Sequence, residues 1–406
     1  MANSAVDRRL ATLLQHVMPR SQNVQGATDS GAAAATPAGS ALSGLRAVII
    51  GNTNCGGFGH GLDSLFASTQ VAVIAVSDPD PNGRAKAVHA VHQSQLSNPA
   101  PLRQHEQWAD LVDAHAGDFQ LAVVAPRWTT EHYRAGMAVL TAGAHLLLEK
   151  PFVHVLSEAD ELLALAEVKG LKIAVAHQIR LAPSVLAIKA LLPGLLGDLL
   201  QIDTWGKMDR RAGGEDLVVL GCHIFDLARF FAGDALWCTA RVTKSGRDIT
   251  RDDARRSQDQ VGPLAGDEIS AQFGMQNNVL LTYTSRGRLL ATTKPYSMVL
   301  TGSKGKARVK LGFALEWEFC AAGSDKGDVW VPFPGAPASA NTSQKEANGW
   351  LAEDWLTSVR AGGSAQPSCS GWNAMKAMEM VMAVFHAGLQ RGRVALPLTD
   401  RSHPLE

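Results

Sequence analysis

Residues 47–59 read AVIIGNTNCGGFG, a short apolar run that ends in a glycine-rich turn. Strand followed by such a turn suits phosphate binding, and two nucleotide folds begin this way. As a P-loop, Gly51-x-x-x-x-Gly56 has the right spacing, but Gly57 and Phe58 stand where Lys and Ser or Thr are needed. The phosphate charge would go unmet, so that reading fails. As a dinucleotide turn it is lengthened: Gly51 opens it and Gly56-x-x-Gly59 closes it, with extra residues between. A helix beginning around Gly59 to Leu62 would aim its N-terminal N–H groups at a pyrophosphate.

The surroundings favour the dinucleotide reading. VAVIAV (71–76) ends in Ser77-Asp78, and Asp78 lies where an acidic residue accepts hydrogen bonds from an adenosine ribose. A carboxylate there favours NAD, while Ser77 and Arg84 leave NADP open. Further apolar runs, LAVVA (121–125), HLLLE (145–149) and KIAVA (172–176), alternate with helical stretches such as 131–143 and 157–170. Fully apolar strands alternating with helices predict a doubly wound parallel sheet covered on both faces. Beyond about residue 180, EISAQFGMQNNVLLTYTS (268–285) and SMVLTGSKGKARVKL (297–311) alternate apolar and polar around turns. They predict antiparallel hairpins of an α+β domain with a large, mostly antiparallel open sheet. The polar stretch 246–267 reads as a mobile loop, and 373–389 as a helix whose methionines face a core. The expected organisation is a disordered leader (1–44), a Rossmann domain (45–180) and a substrate or oligomerisation domain (181–406).

The bulk properties narrow the partners. In 406 residues Lys plus Arg and Asp plus Glu balance at 38 each, which leaves no global field for nucleic acid or an anionic membrane. Five scattered cysteines without a C-x-x-C pair fit a reducing compartment rather than a disulfide framework or zinc site, and no metal is expected. Arg8-Arg9 invites a twin-arginine signal, but Gln15-His16 interrupts the apolar stretch behind it, so the expectation is cytoplasmic.

Ligands of such folds gather beyond the carboxyl ends of the strands. The candidate cofactor residues are therefore Gly51, Asn52, Gly56, Phe58 and Gly59 of the turn, Asp78, then Pro126, Trp128 and His132 after LAVVA, and Glu149 and Lys150 after HLLLE. Pro151 biases Lys150 away from helical dihedrals. Lys150 is either a solvated strand-end lysine or a partly desolvated group for proton transfer.

LLLEKPF resembles the E-K-P signature of the Gfo/Idh/MocA oxidoreductases. The likeness continues through Pro126 and His132, His177-Gln178-x-Arg180-x-x-Pro183, Gly221-x-His223-x-x-Asp226-Leu227 and the terminal Leu396-Pro397-Leu398. The resemblance implies a Rossmann domain binding NAD(P), a sugar or cyclitol substrate, Lys150 on the reacting hydroxyl and His223 as acid/base. Arg180 falls in its R-x-x-P segment and joins the substrate-side candidates. It also implies a homodimer or homotetramer, and it reaches glycosidases that retain NAD. A non-catalytic binding protein is the third reading. Many relatives carry an aspartate four residues before the histidine; here that residue is Val219, and Asp216 or Glu215 is the candidate substitute. Trp128 and Trp205 could stack on a sugar ring, and Lys207, Arg210 and Arg211 could meet an acidic one.

Overall fold

A computed structural model of the protein describes residues 44–55, 59–67, 69–94, 102–257, 259–287, 296–312, 315–323, 328–335 and 343–406. The leader, apart from Gly44, and the turn residues Gly56 and Phe58 lie outside the described residues. Six strands form the first sheet: β1 (Arg46–Ile50), β2 (Ala72–Ser77), β3 (Arg103–His105), β4 (Leu121–Val124), β5 (His145–Leu148) and β6 (Ile173–Val175). All pairs are parallel, in the order β3-β2-β1-β4-β5-β6. β1 alternates its side chains between two cores, as a strand with both faces covered must. Val48 and Ile50 pack towards α3 (Thr129–Thr141) and α4 (Leu156–Lys169). Ala47 and Ile49 pack towards Leu62, Leu65, Phe66 and Val91, the last from α1 (Pro81–Ser94). Gly170, at φ 66°, ends α4 in the left-handed conformation its sequence foretold.

A helix from late in the chain completes that second face. Leu351, Trp355 and Leu356 join the core of Ala47 and Ile49. Their helix, Gln344–Ala361, follows two others early in the chain, α2 (Trp108–Ala114) and α5 (Pro183–Leu195), and α6 (Cys222–Ala232), and is numbered α7. α8 (Gly371–Gln390) is the methionine helix, buried along most of its length.

The second sheet begins with β7 (Leu199–Trp205), β8 (Ala235–Lys244) and β9 (Arg247–Asp248). Its remaining strands are β12 (Glu268–Met275), β13 (Leu280–Arg286), β14 (Ser297–Gly302), β15 (Gly305–Lys310), β16 (Trp317–Ala321), β17 (Val331–Pro332) and β18 (Val394–Ala395). The order is β17-β16-β15-β14-β7-β13-β12-β8-β18, with β9 beside β8; only β7 and β13 run parallel. The β12–β13 turn carries Asn277 and Asn278 at φ 57° and 59°, the conformation for which Asn is suited. Within 246–267, Arg247 pairs with Asp253 at 2.6 Å, and β10 (Arg255–Arg256) pairs with β11 (Pro263–Leu264). Other charges of the stretch reach outside it, Arg255 to Glu215 and Asp248 to Arg241 and Arg391.

Candidate active site

The glycine turn lies between β1 and β4, where the strand order reverses. Gly51 N–H donates to Ser77 O at 2.9 Å, which joins the ends of β1 and β2. The expected helix at Gly59–Leu62 is absent; only a 3₁₀ turn, Leu62–Ser64, follows. Gly59 (φ 144°), His60 (φ 36°) and Gly61 (φ 71°) are all outside the helical region, so no helix can start there. A Cβ on Gly59 would run into the carbonyl of Ala125, so the turn sits directly against the end of β4. Asp78 is buried at the end of β2. Its Oδ2 accepts Thr53 N–H at 2.9 Å and Thr53 Oγ1–H at 2.6 Å, while Oδ1 accepts Asp80 N–H at 2.9 Å. The carboxylate thus braces the turn from the position expected of a ribose ligand. Asn52 Oδ1 accepts Asn54 N–H at 3.1 Å and shapes the same turn.

His132 is fully buried, with Nε2 2.6 Å from Pro126 O and Nδ1 2.9 Å from Pro151 O. It therefore ties the β4 loop to the segment after Lys150, beneath the crevice rather than in it. Trp128 precedes the first residue of α3 and is half-buried. Glu149 is buried and accepts two bonds, one from Lys150 N–H at 2.7 Å on Oε2 and one from His60 Nδ1 on Oε1. Burial alone would raise the Glu149 carboxyl, but the His60 bond and the charges of His60 and Lys150 hold it below its ordinary value.

Lys150, joined to Pro151 by a cis peptide, donates from Nζ to Val219 O at 3.1 Å. That acceptor belongs to a π-helical turn, Leu217–Gly221. At position 219, then, a main-chain oxygen meets the lysine. His223 follows in the first turn of α6, and its Nδ1 is buried without a protein partner. Burial, then the charges of Lys150, His177 and His60, push His223 well below its ordinary value. His177 stacks edge-on against it, ring centres 5.2 Å apart. Asp226 Oδ1 accepts Arg180 Nη1–H at 2.7 Å and lies 3.7 Å from His177 Nδ1. Burial opposes charge on His177, but Asp226 outweighs it and raises the ring to about 9.

Other expected residues are placed elsewhere. Asp216 is fully buried and accepts Lys207 N–H and Met208 N–H, both at 3.1 Å, and Ser285 Oγ–H at 2.7 Å. It fastens the loop after β7 to β13, and the charges facing His223 do not include it. Burial raises its carboxyl. Glu215 pairs with Arg255 at 3.6 Å. Arg180 is buried on Asp226 and lies over Phe230, 5.0 Å from its centre, so it braces α6. Trp205 shares the open face of the second sheet with Gln201 and Asp203, across the sheet from Tyr283, which packs on α6 through Phe225. Arg210 is exposed, while Lys207 and Arg211 pair with Asp209. His60 and the α7 amides were missed by motif reading. Asn348 Nδ2 donates to His60 O at 3.1 Å and its Oδ1 accepts Gln178 Nε2–H at 2.8 Å; Gln344 Nε2 also donates to His60 O. The signal was present in Gly59-His60-Gly61, a histidine set between two conformationally free residues.

Residues 45–177 match the family model described as "Oxidoreductase family, NAD-binding Rossmann fold", GFO_IDH_MocA. A D-apiose dehydrogenase of Paraburkholderia graminis is 24% identical over 82% of this chain and 85% of its own. Among solved structures, levoglucosan dehydrogenase in complex with NADH and levoglucosan superposes with TM-score 0.68 at 17% identity, covering 87% of this chain and 100% of that one. An Agrobacterium radiobacter oxidoreductase in complex with NAD+, L-tartaric acid and magnesium gives 0.63 at 19%, covering 87% and 98%. The structural likenesses speak to the fold.

Proposed function

Residues 45–177 match the Gfo/Idh/MocA oxidoreductase model with its NAD-binding Rossmann fold, and from that premise we propose that the chain is an oxidoreductase of this family that oxidises a hydroxyl of a small sugar or sugar derivative. The observation that carries the reading is that Lys150 Nζ is held on Val219 O, about one helical turn before His223, which brings the lysine to the helix that bears the histidine. The named relatives, an apiose and a levoglucosan dehydrogenase, support a sugar substrate.

The residues present fit a dinucleotide. Gly59, without a side chain, lets the turn close directly on Ala125, and Gly51 and the Asp78-braced turn lie at the carboxyl ends of β1 and β2, where a dinucleotide binds in such sheets. NAD bound there supplies the hydride acceptor. Lys150 donates a hydrogen bond to the reacting oxygen and stabilises its developing negative charge. His223, kept neutral by burial and its cationic neighbours, takes the hydroxyl proton. Asp78 favours NAD over NADP by repelling a 2′-phosphate. The open sheet face, with Thr282, Thr284, Ser270 and Gln272, is the surface on which a second copy would pair. No described helix is long and apolar enough to cross a membrane. The thiols of Cys222, Cys238, Cys320 and Cys369 are unpaired, which suits a reducing, cytoplasmic setting.

Thermal unfolding with NAD, NADH, NADP and NADPH tests the cofactor, since a ligand at a hundredfold excess over its Kd adds roughly 2.7 kcal/mol. A stabilising shift with the NAD pair and NADH accumulation with a free sugar are expected, and Lys150→Ala should lower kcat at least a hundredfold. Aglycone release without net NADH would instead establish the glycosidase. Absence of any shift, with no nucleotide released on denaturation, would sink both enzyme readings.

A further inference from the structure

We propose that His177 is a positioning residue that answers for the missing carboxylate at position 219: anchored on Asp226, it orients the His223 ring and, with Lys150, sets when that ring takes a proton. The inference rests on the dehydrogenase reading for its kinetic consequence, but not for its chemistry.

His177 lies just past β6, 1% exposed, and opens the 3₁₀ turn Gln178–Leu181. That turn also delivers Arg180, so two cations reach Asp226 Oδ1 from one short segment, at 3.7 and 2.7 Å. Asp226 sits one helical turn beyond His223 on α6, which makes the anchor and the acid/base part of a single rigid element. The rings of His177 and His223 meet at 64°, and each keeps one buried nitrogen without a protein partner, Nε2 and Nδ1 respectively. Buried polar atoms of this kind are costly unless something satisfies them, and two on touching rings mark a place built to receive a polar group such as a substrate hydroxyl.

The electrostatics agree. His223 is faced by Lys150 from the end of β5, by His60 from the glycine turn and by His177 from the end of β6. Around His177 stand Asp226 and the Cys222 thiol on α6, and Cys369, whose Sγ donates to His177 O at 3.4 Å and whose N–H is held by Asp354 of α7. With His177 at about 9, its proton is in place at neutral pH. A carboxylate at 219 would favour protonated His223; valine leaves the cations unopposed, so the ring stays a proton acceptor.

Histidine-selective NMR titration of the full chain, without sugar, reads this directly. In the wild type the His177 ring should stay protonated past pH 7 while His223 is neutral over the same range and titrates below its ordinary value. In His177→Gln, checked for folding by its NADH-induced thermal shift, His223 should titrate higher than in the wild type because a positive neighbour is gone. The acid limb of kcat/KM should rise with it, and kcat should fall about tenfold with the KM for NAD unchanged. A neutral His177 at pH 7 overturns the proposal even if the variant fails to fold, as does an unmoved His223 in a folded variant. Should the expected titrations appear while no sugar is turned over, the dehydrogenase reading falls and the His177 assignment stands.

Discussion

Gly59 and Gly143 both hold positive φ, yet they carry different loads. At Gly59 (φ 144°) an added Cβ would enter the Ala125 carbonyl; at Gly143 (φ 87°) it would meet nothing within 4 Å. Gly143→Ala should therefore cost only the backbone strain, about 1 kcal/mol. Gly59→Ala adds displacement of the β1 turn from the end of β4, and NADH affinity should fall at least tenfold. Comparing thermal midpoints and NADH titrations of the two variants separates strain from site geometry; equal NADH affinity in both would show that the close approach at Gly59 has no bearing on the cofactor. The same logic explains why spacing misread this turn. Glycine count suggested a strand–turn–helix, whereas the required φ values at Gly59, His60 and Gly61 rule a helix out.

Among the elements, what was legible followed a local period. The apolar runs at 47–50, 121–125 and 145–149 are strands, and the stripe at 157–170 is α4, because each pattern is complete within its own segment. β3, with two exposed residues out of three, carries no such period and escaped notice. The site residues divide in the same way. Lys150 and His223 were readable from motifs, but the true partners of Asp216 are two main-chain N–H groups and Ser285, 69 residues away. The link from α7 to the glycine turn spans 288 residues. That link is testable. Asn348 is 2% exposed and joins His60 O to the Gln178 amide, so Asn348→Ala leaves the buried Gln178 amide without its partner and His60 O with Gln344 alone. A loss of about 1–3 kcal/mol is expected in denaturant unfolding. NADH binding should weaken as well, because α7 then holds the turn through Gln344 alone; an NADH affinity equal to wild type would show that Asn348 supports only the fold.

The molecule as a whole should be most stable slightly below neutral pH, because its shifted groups pull from both sides. His177, raised to about 9 by Asp226 against the penalty of burial, contributes stability that is fully present below the ordinary value of 6.5 and is lost as pH rises through about 9. His403 works in the opposite sense. Burial, then His154 and His386, lower it to about 4, so the unfolded chain binds a proton between pH 6.5 and 4 that the folded chain refuses. Stability on its account is lost as pH falls across that window, by roughly 3 kcal/mol if it acts alone. Glu158 is raised to about 7 by burial and by Glu161 and Glu406, so the folded chain keeps a proton that the unfolded chain releases above about 4.5. It therefore takes stability away as pH climbs from 4.5 to 7, which draws the optimum below neutrality. His145, which burial and then Lys172 also lower to about 4, adds to the acid arm that Glu158 would otherwise cancel, so denaturant unfolding from pH 4 to 9 should trace a dome that peaks just below neutrality. His403→Gln should flatten the acid arm and His177→Gln the alkaline arm, each without moving the other. An acid arm of unchanged slope in His403→Gln would mean that this histidine does not govern it, and that the acid loss comes instead from His145 or from carboxylates such as Asp226, whose pairing with Arg180 and His177 outweighs its burial and holds it below its ordinary value.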